Sequence, residues 1–204
     1  IYTGEDTLSL HDALPICNII DLINLAKVRP GEVRFSSSAI GSSSHLASEM
    51  MRMMAGVEMQ HIPYRGGPQA LQDVIGGQVE FATIAMPEAL AQVRAGRVRA
   101  VGQTGIKRSP IAPDIPTLDE SGLKGYAVMT WYVVFAPAKT PVTTVQRLHE
   151  EFDKALKVQE VQDRLRDAGI TEIVNGPPEV ATKFVQAEYQ RWGNIIRQLN
   201  LKAN

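Results

Sequence analysis

The sequence has little cysteine, little net charge and no long hydrophobic run. Its single cysteine, Cys17, excludes an internal disulfide framework and any metal site built from several cysteines. The formal net charge is -1 at pH 7, so no overall positive field favours nucleic acid or an anionic membrane surface. No run approaches the roughly 18 consecutive apolar residues that suggest a membrane-spanning helix. The composition, 44% hydrophobic and 21% charged, is that of a globular protein with a packed core.

The usual signatures of catalysis are also missing from the sequence. It contains no G-x-S-x-G elbow, no H-E-x-x-H and no G-x-x-x-x-G-K-[ST] phosphate loop. Asp73, Glu80 and Glu88 lack the spacing of metal ligands, so we expect no metal and no cofactor. His45 follows three serines and could serve Ser43 as a base, but no acidic residue is placed by sequence to orient its imidazole. A non-enzymatic protein is favoured, with Ser43/His45 chemistry on a small carboxylate as the alternative.

The first 17 residues, IYTGEDTLSLHDALPIC, do not fit the pattern of the rest of the chain. A signal peptide needs a basic start and an unbroken apolar run, which acidic residues interrupt here, and Pro15 would end a helix. The residues from Thr7 to Ile16 match, codon by codon, one reading frame of a common sequencing-library adapter, ACTCTTTCCCTACACGACGCTCTTCCGATC. We therefore predict that residues 1–17 are a non-native, adapter-derived segment and that the native sequence begins at Asn18 in mid-gene.

Helix and strand patterns alternate from Asn18 onward, which is typical of an α/β fold with a largely parallel sheet. Helices are predicted between four strands, whose sequences are EVRFSSS, VEMQHIPY, QVEFATIA and RVRAVGQTG. The apolar, β-branched run YAVMTWYVVFAPA then predicts a buried strand. Beyond Pro141 the pattern indicates one helix to Gly169, the short strand ITEIVNG and a terminal amphipathic helix.

Polar groups follow three of the predicted strands. In SSSAIGSSS, serines 42–44 arrive where a helix begins, so hydroxyl donors lie beside unpaired backbone amides that suit a carboxylate or a phosphate. One of these serines could simply cap the helix, but a cap does not explain six serines in residues 35–44. In PYRGG, Arg65 could bind a carboxylate bidentately or stand in an exposed turn. The third strand ends in TIAMP, which offers Thr83 and an apolar surface.

Long motifs in a fixed order carry a resemblance to a known family. They are FSSSAIGSSSHLA, HIPYRGG, GGQVEF, KRSP, DIPTLDESG and a Thr-Trp strand that leads to APAKTP. Together they resemble the Bug/TctC family of extracytoplasmic solute-binding receptors, which serve tripartite tricarboxylate transporters. The resemblance extends from about Ile19 to the C-terminus, and several long motifs in register make it specific.

The resemblance implies a two-lobed α/β fold of periplasmic-binding-protein type II. The protein would be a periplasmic receptor that captures a small organic carboxylate and delivers it to subunits of a tripartite tricarboxylate-type membrane transporter. Residues 18–126 would form the ligand-binding lobe. Residues 127–204 would form the crossover strand and the C-terminal helical part of the other lobe, with the N-terminal part of the first lobe missing. The effector-binding domain of a transcriptional regulator, which shares this fold type, is a further alternative.

The expected ligand contacts lie in the three loops that follow the predicted strands. They are Ser37, Ser38, Gly41, Ser42, Ser43, Tyr64, Arg65, Gly66, Thr83 and Ile84.

Three positions depart from the family pattern. Ala39-Ile40 stands where the family has Gly-Asn, Arg65 stands where it has lysine, and Ile84-Ala85 stands where many members carry Asp or Asn. Without a polar group at the third position, we predict a ligand whose distal end is apolar or lacks an amine. Because the lobe is expected to be incomplete, we also predict that the C-terminal helices expose an apolar face, and that the chain is poorly stable and binds weakly.

Overall fold

A computed structural model describes residues 16–174, 176–199 and 201. Most of the segment predicted to be adapter-derived, residues 1–15, lies outside the described residues, so that interpretation stays a prediction. The described chain contains seven helices and three strands. In order they are α1 (Ile19–Val28), β1 (Arg34–Ser37), α2 (Ser43–Ala55), β2 (Gln60–Pro63), α3 (Gly67–Ile75), β3 (Phe81–Ala82), α4 (Met86–Arg94), α5 (Val142–Leu156), α6 (Gln159–Asp167) and α7 (Pro178–Gln198).

The three strands form one parallel sheet in the order β2-β1-β3. Phe35, in the central strand, is opposite His61 on one side and Phe81 on the other. Helices connect the strands, as parallel pairing requires. The alternating pattern predicted from the sequence is confirmed for this part of the chain, and all three strands end at the same edge of the sheet.

The hydrophobic core is built from α1, α2 and the central strand. Asn18 and Asp21 form a capping box that starts α1, and the helix buries Ile19, Leu22, Ile23 and Ala26. Phe35 is fully buried, and its ring stacks on Phe81 at a centroid distance of 5.5 Å. The methionines of α2 fill the space between these elements, as their flexible side chains allow. Tyr126 closes the core, since its hydroxyl donates to the Ala47 carbonyl at 2.9 Å.

The predicted fourth strand, RVRAVGQTG, is not formed. Its backbone pairs with a neighbouring segment instead of the sheet, because Gln103 N–H donates to the Pro116 carbonyl at 2.8 Å and Leu118 N–H donates to the Gln103 carbonyl at 2.9 Å. The Gln103 side chain reinforces this arrangement by donating to the carbonyls of Ala112 and Ile115. The result is a single isolated bridge between Gln103 and Thr117.

The predicted crossover strand in residues 127–204 is also wrong for the described chain. Val128 is buried, but Met129, Tyr132, Val134 and Phe135 are exposed and belong to no strand. A buried strand needs a neighbouring strand to satisfy its backbone groups, and none lies beside this run among the described residues. The short strand predicted in ITEIVNG is absent from residues 170–174 for the same reason.

The C-terminal helices bury no residue among those described. The helix predicted from residue 143 to residue 169 is divided, because the extended backbone of Val158 separates α5 from α6. Leu148 and Phe152 on α5, and Val180 and Phe184 on α7, are exposed pairs four residues apart, so each helix presents an apolar face as predicted. Among the described helices, none combines the length and apolar character that crossing a bilayer requires.

Candidate functional site

The three loops predicted to bind a ligand meet at one edge of the sheet. Because the strands are parallel, residues 38–42, 64–66 and 83–85 follow strand ends that lie side by side. The N-terminus of α2 opens at this edge. In open α/β sheets this is the edge at which ligands bind. The structure therefore brings together the loops that carry the predicted site residues.

Ser42 is the N-cap of α2. Its hydroxyl oxygen accepts the His45 N–H at 3.3 Å, and its proton is donated to the Ala39 carbonyl at 2.7 Å. Helix capping therefore explains one serine of the loop, which was the alternative to ligand binding in the sequence analysis.

The hydroxyl protons of the remaining loop serines can be assigned from their contacts. Ser42 already donates its proton to Ala39. In the 2.9 Å contact between Ser42 Oγ and Ser44 Oγ, Ser44 is therefore the donor. Ser44 Oγ also accepts the Ser38 N–H at 3.1 Å and lies 3.0 Å from Ser38 Oγ, so Ser38 supplies the proton of that contact. Three serines are thus mutually paired and offer no free hydroxyl proton without rearrangement.

Ser43 is the loop serine whose proton remains available. It is exposed, and Thr130 Oγ1 donates to Ser43 Oγ at 3.4 Å, which leaves the Ser43 proton without an acceptor in the described chain. The backbone N–H groups of Ser43 and Ser44 begin α2 and have no acceptor within the helix. A carboxylate at this position would meet a hydroxyl donor, two amides and the positive end of a helix.

The Ser37 hydroxyl and the Gly41 amide are both bonded within the protein. Ser37 is fully buried, and its hydroxyl donates to the Ala39 carbonyl at 3.1 Å and lies 2.7 Å from His61 Nε2. Gly41 has a left-handed backbone with φ 76°, and its N–H donates to His45 Nδ1 at 3.0 Å. Both residues shape the loop by contacts within the protein.

The second loop contributes a cation and a fixed tyrosine. The Tyr64 hydroxyl donates to Asp73 Oδ2 at 2.6 Å, and this bond, helped by burial, raises the pKa of Tyr64 to about 12. Arg65 is exposed and forms no ion pair or hydrogen bond with any described residue. Gly66 has φ 149°, a conformation that favours glycine, and it caps the start of α3. Arg65 is therefore the positive charge of this edge that is left to bind an anion.

The third loop is bonded to α2 by a contact that the sequence did not reveal. Thr83 Oγ1 lies 2.9 Å from Ser48 Oγ, and Ser48 in turn donates to the Ser44 carbonyl at 3.1 Å. Ile84 is half-buried beside Thr83. Thr83 is paired within the protein, and Ile84 gives the edge an apolar wall.

Two histidines lie stacked below the serine loop. The rings of His45 and His61 are 3.8 Å apart at an interplanar angle of 17°, and Phe35 stacks on the His61 side at 5.0 Å. Burial, and then the neighbouring His45, lowers the pKa of His61 to about 4. Burial alone would raise the pKa of Glu49, but its bonds to His45 and Arg52 outweigh burial and hold that pKa below the usual value.

The Ser43/His45 pair of the catalytic alternative is not assembled. Ser43 is exposed and bonded to Thr130, whereas His45 is buried with Nδ1 taken by Gly41. The serine that does contact a histidine is Ser37, which no substrate can reach because it is fully buried. The His45–Glu49 spacing of four residues was the signal by which the sequence could have indicated this buried cluster.

Open cavities occur elsewhere in the molecule. One of about 190 Å³ is lined by Asp153, Leu156 and Lys157 with neighbouring residues, and one of about 210 Å³ by Arg166, Ile170 and its neighbours. Neither lining contains a predicted site residue, so the candidate site is the open edge of the sheet rather than one of these cavities.

The parallel sheet and the loops at its edge have the layout of a ligand-binding α/β domain. Residues 3–201 match the family described as the tripartite tricarboxylate transporter family receptor, TctC, and the chain belongs to that family. The matched range includes most of the segment predicted to be adapter-derived.

Curated relatives support the same assignment. The chain is similar to a protein encoded in the tcbD-tcbE intergenic region of Pseudomonas sp. (strain P51), with 38% identity over 92% of this chain and 56% of the relative. It is also similar to protein BugT of Bordetella pertussis, with 32% identity over 96% of this chain and 60% of that protein. The chain thus spans less than two thirds of the length of these relatives.

Solved structures share the fold. One described as R. palustris Rpa4515 with adipate is 32% identical, with a TM-score of 0.81, and the match covers 93% of this chain and 63% of that one. MatC of Rhodopseudomonas palustris with bound malate is 28% identical, with a TM-score of 0.74, and the match covers 89% of this chain and 63% of that one. The α/β periplasmic-binding-protein fold predicted from the sequence is confirmed.

Proposed function

We propose that this chain is the ligand-binding part of a periplasmic receptor. The receptor captures a small organic carboxylate and delivers it to a tripartite tricarboxylate-type membrane transporter. Two similar proteins have been solved with dicarboxylates, one with adipate and one with malate. The observation that carries the proposal for this chain is the set of unpaired donors at one sheet edge, which consists of the Ser43 hydroxyl, the first amides of α2 and the Arg65 guanidinium.

The ten expected contact residues divide into two roles in this proposal. Ser43 and Arg65 bind the carboxylate directly, and Gly66 lets the backbone approach it. Ile84 borders the distal end of the ligand. The others shape the loops through bonds within the protein, and they are Ser37, Ser38, Gly41, Ser42, Tyr64 and Thr83.

The proposal assigns residues 18–126 to one lobe and residues 127–204 to part of the other. Under the same proposal the protein is a non-enzymatic receptor. The separation of Ser43 from His45 supports that assignment, since a nucleophile needs its base within hydrogen-bond reach. A chain that hydrolysed or transferred groups on a small carboxylate or its esters would contradict it.

The direct test is calorimetric titration of the chain with adipate and with malate. Arg65→Gln removes the positive charge but keeps a polar side chain, and we expect affinity to fall about 10- to 100-fold because a charge-assisted hydrogen bond is lost. Arg97→Gln is the matched control, since Arg97 is also exposed but follows α4 at the opposite edge of the sheet. Equal losses in both variants, or no binding of either acid by the parent chain at millimolar concentration, would contradict the proposal.

A further inference from the structure

His45 is buried directly beneath the serine loop. The residue is 2% exposed, and it is the third residue of α2. Its Nδ1 lies 3.0 Å from the Gly41 amide nitrogen, so the imidazole accepts a hydrogen bond from the loop, while the backbone N–H of His45 donates to Ser42 Oγ. The two bonds run in opposite directions between the loop and the first turn of the helix. This reciprocal pairing resembles a capping box, with histidine in place of the usual Glu or Gln.

The hydrogen bonds fix the tautomer of His45. A backbone amide can only donate, so Nδ1 must carry no proton where it meets Gly41. The proton of the neutral ring is then on Nε2, which faces Glu49 Oε1 at 3.7 Å. Glu49 is held in turn by Arg52, whose Nη2 and Nε donate to Glu49 Oε2 at 2.7 and 2.9 Å. The chain Arg52–Glu49–His45–Gly41 thus links a charged pair on α2 to the loop.

We propose that His45 is a positioning residue of the carboxylate site, which holds the serine loop in its binding shape as a neutral imidazole that accepts the Gly41 N–H. The inference rests on the proposed function, because the loop is taken to bind the ligand. Gly41 sits at the left-handed turn of the loop, two residues before Ser43. The bond to His45 therefore sets the direction in which the Ser43 hydroxyl and the first amides of α2 are presented.

Protonation of His45 would break this arrangement. A second N–H on Nδ1 would face the Gly41 N–H, and two donors cannot bond to each other. Two titratable groups face the ring: Glu49 on α2, with Oε1 3.7 Å from Nε2, and His61 on β2, with its ring centroid 3.8 Å away. Phe35 on β1 stacks on the same rings and offers no charge. The bond to the loop therefore requires that Nδ1 carry no proton.

The test compares two variants of His45, one that keeps a hydrogen-bond acceptor for the Gly41 N–H and one that does not. Asn places its carbonyl oxygen the same number of bonds from Cα as Nδ1, so His45→Asn keeps an acceptor for Gly41. His45→Leu keeps apolar volume without any acceptor. We expect His45→Leu to weaken adipate binding about tenfold, as the loss of one ordering hydrogen bond would, and His45→Asn to remain within about threefold of the parent. His149→Leu, on the remote helix α5, is the matched control and should bind adipate like the parent.

A second readout separates this inference from the proposed function. The Gly41 amide resonance of the ¹⁵N-labelled chain reports the bond to His45 without any ligand. We expect this resonance to shift and lose exchange protection in His45→Leu, and to keep its parent position and protection in His45→Asn. If the parent does not bind adipate, the proposed function fails while this readout still decides whether His45 orders the loop. An unchanged Gly41 resonance in His45→Leu, or equal adipate affinity in Leu and Asn variants, would overturn the inference.

Discussion

The described chain divides into two regions that differ in how they bury apolar surface. All its buried residues lie between Ile19 and Val128, where a three-stranded sheet is covered by helices. From Met129 onward, by contrast, no described residue is buried, although the helices carry large apolar side chains. The first region has its own core, whereas the second is attached to it by side chains such as Trp192 and Ile195, which pack on that core from outside.

The difference shows that amphipathic sequence alone does not stabilise a region. The helices of the second region have apolar faces like those of the first, but no described sheet covers them. Besides the packing of Trp192 and Ile195, polar bonds hold α7: Glu188 accepts a bond from Trp131, and Arg191 donates to the Ala127 carbonyl. These bonds are exposed or only partly buried, so each contributes little because water competes for the same groups. The first region should therefore dominate the stability of the chain, and the second should be the first part to unfold.

The largest expected contrast is between two phenylalanines. Phe35→Ala opens a cavity beside the stacked rings of the first region and should cost about 3–5 kcal/mol of unfolding free energy. Phe184→Ala removes a ring that is 42% exposed and packs mainly edge-on against Trp131, and should cost about 1 kcal/mol or less. Urea unfolding followed by far-ultraviolet circular dichroism measures both. Similar losses for the two variants would show that the second region shares a common core with the first.

The second prediction concerns cooperativity. Both tryptophans of the chain, Trp131 and Trp192, lie in the second region, so tryptophan fluorescence reports on that region. Circular dichroism reports on helices in both regions. Because the second region lacks buried residues, we expect the fluorescence transition to have a lower urea midpoint than the dichroism transition. Coincident transitions would mean that the two regions unfold as one unit.

The third prediction is a loss of stability on acidification that originates in the first region. The pKa of His61 falls from 6.5 to about 4 on folding, so between these pH values the unfolded chain binds a proton that the folded chain does not. Stability therefore falls as the pH falls from 6.5 to about 4. Glu49, whose folded pKa is also lowered, adds a loss in the same direction as the pH falls through that lowered pKa.

A comparison of two histidine variants tests whether His61 causes this loss of stability. His61→Gln cannot titrate, so its urea midpoint should depend less on pH than that of the parent in this window. His149→Gln, on α5, should keep the pH dependence of the parent because His149 lies outside the stacked cluster. A parent-like pH dependence in His61→Gln would show that other groups control acid stability.

The same contrast explains what the sequence could predict. The helices between the strands and the central strand were correct because they follow from periodic patterns within the first region, and a serine cap before α2 was one of the two interpretations of the serine loop. The run from Met129 to Phe135 has the composition of a buried strand, yet it forms none, because a strand depends on partners elsewhere in the chain. Local composition cannot supply those partners.

For the candidate site, the loops were predictable but the roles of their residues were not. The serine loop and the turn at Arg65 were indicated by their place after strands, and the topology brings them to one edge. The sequence could not show that Ser38, Ser42 and Ser44 satisfy one another, because these bonds depend on the exact path of the loop. Nor could it reveal the contact of Ser37 with His61, which joins residues on different strands.

The smallest expected effects come from helix caps, and they should have opposite signs in the two regions. The N-cap of α2 in the first region is Ser42, whereas α6 in the second region starts at Val158, whose side chain cannot cap although its backbone is extended. Ser42→Ala should destabilise the chain by about 1 kcal/mol, measured by the dichroism midpoint. Val158→Ser should gain about 0.5–1 kcal/mol, measured by the fluorescence midpoint, because it supplies the missing acceptor for the first turn. No gain in Val158→Ser would mean that α6 unfolds independently of the tryptophans, and that the second region is itself divided.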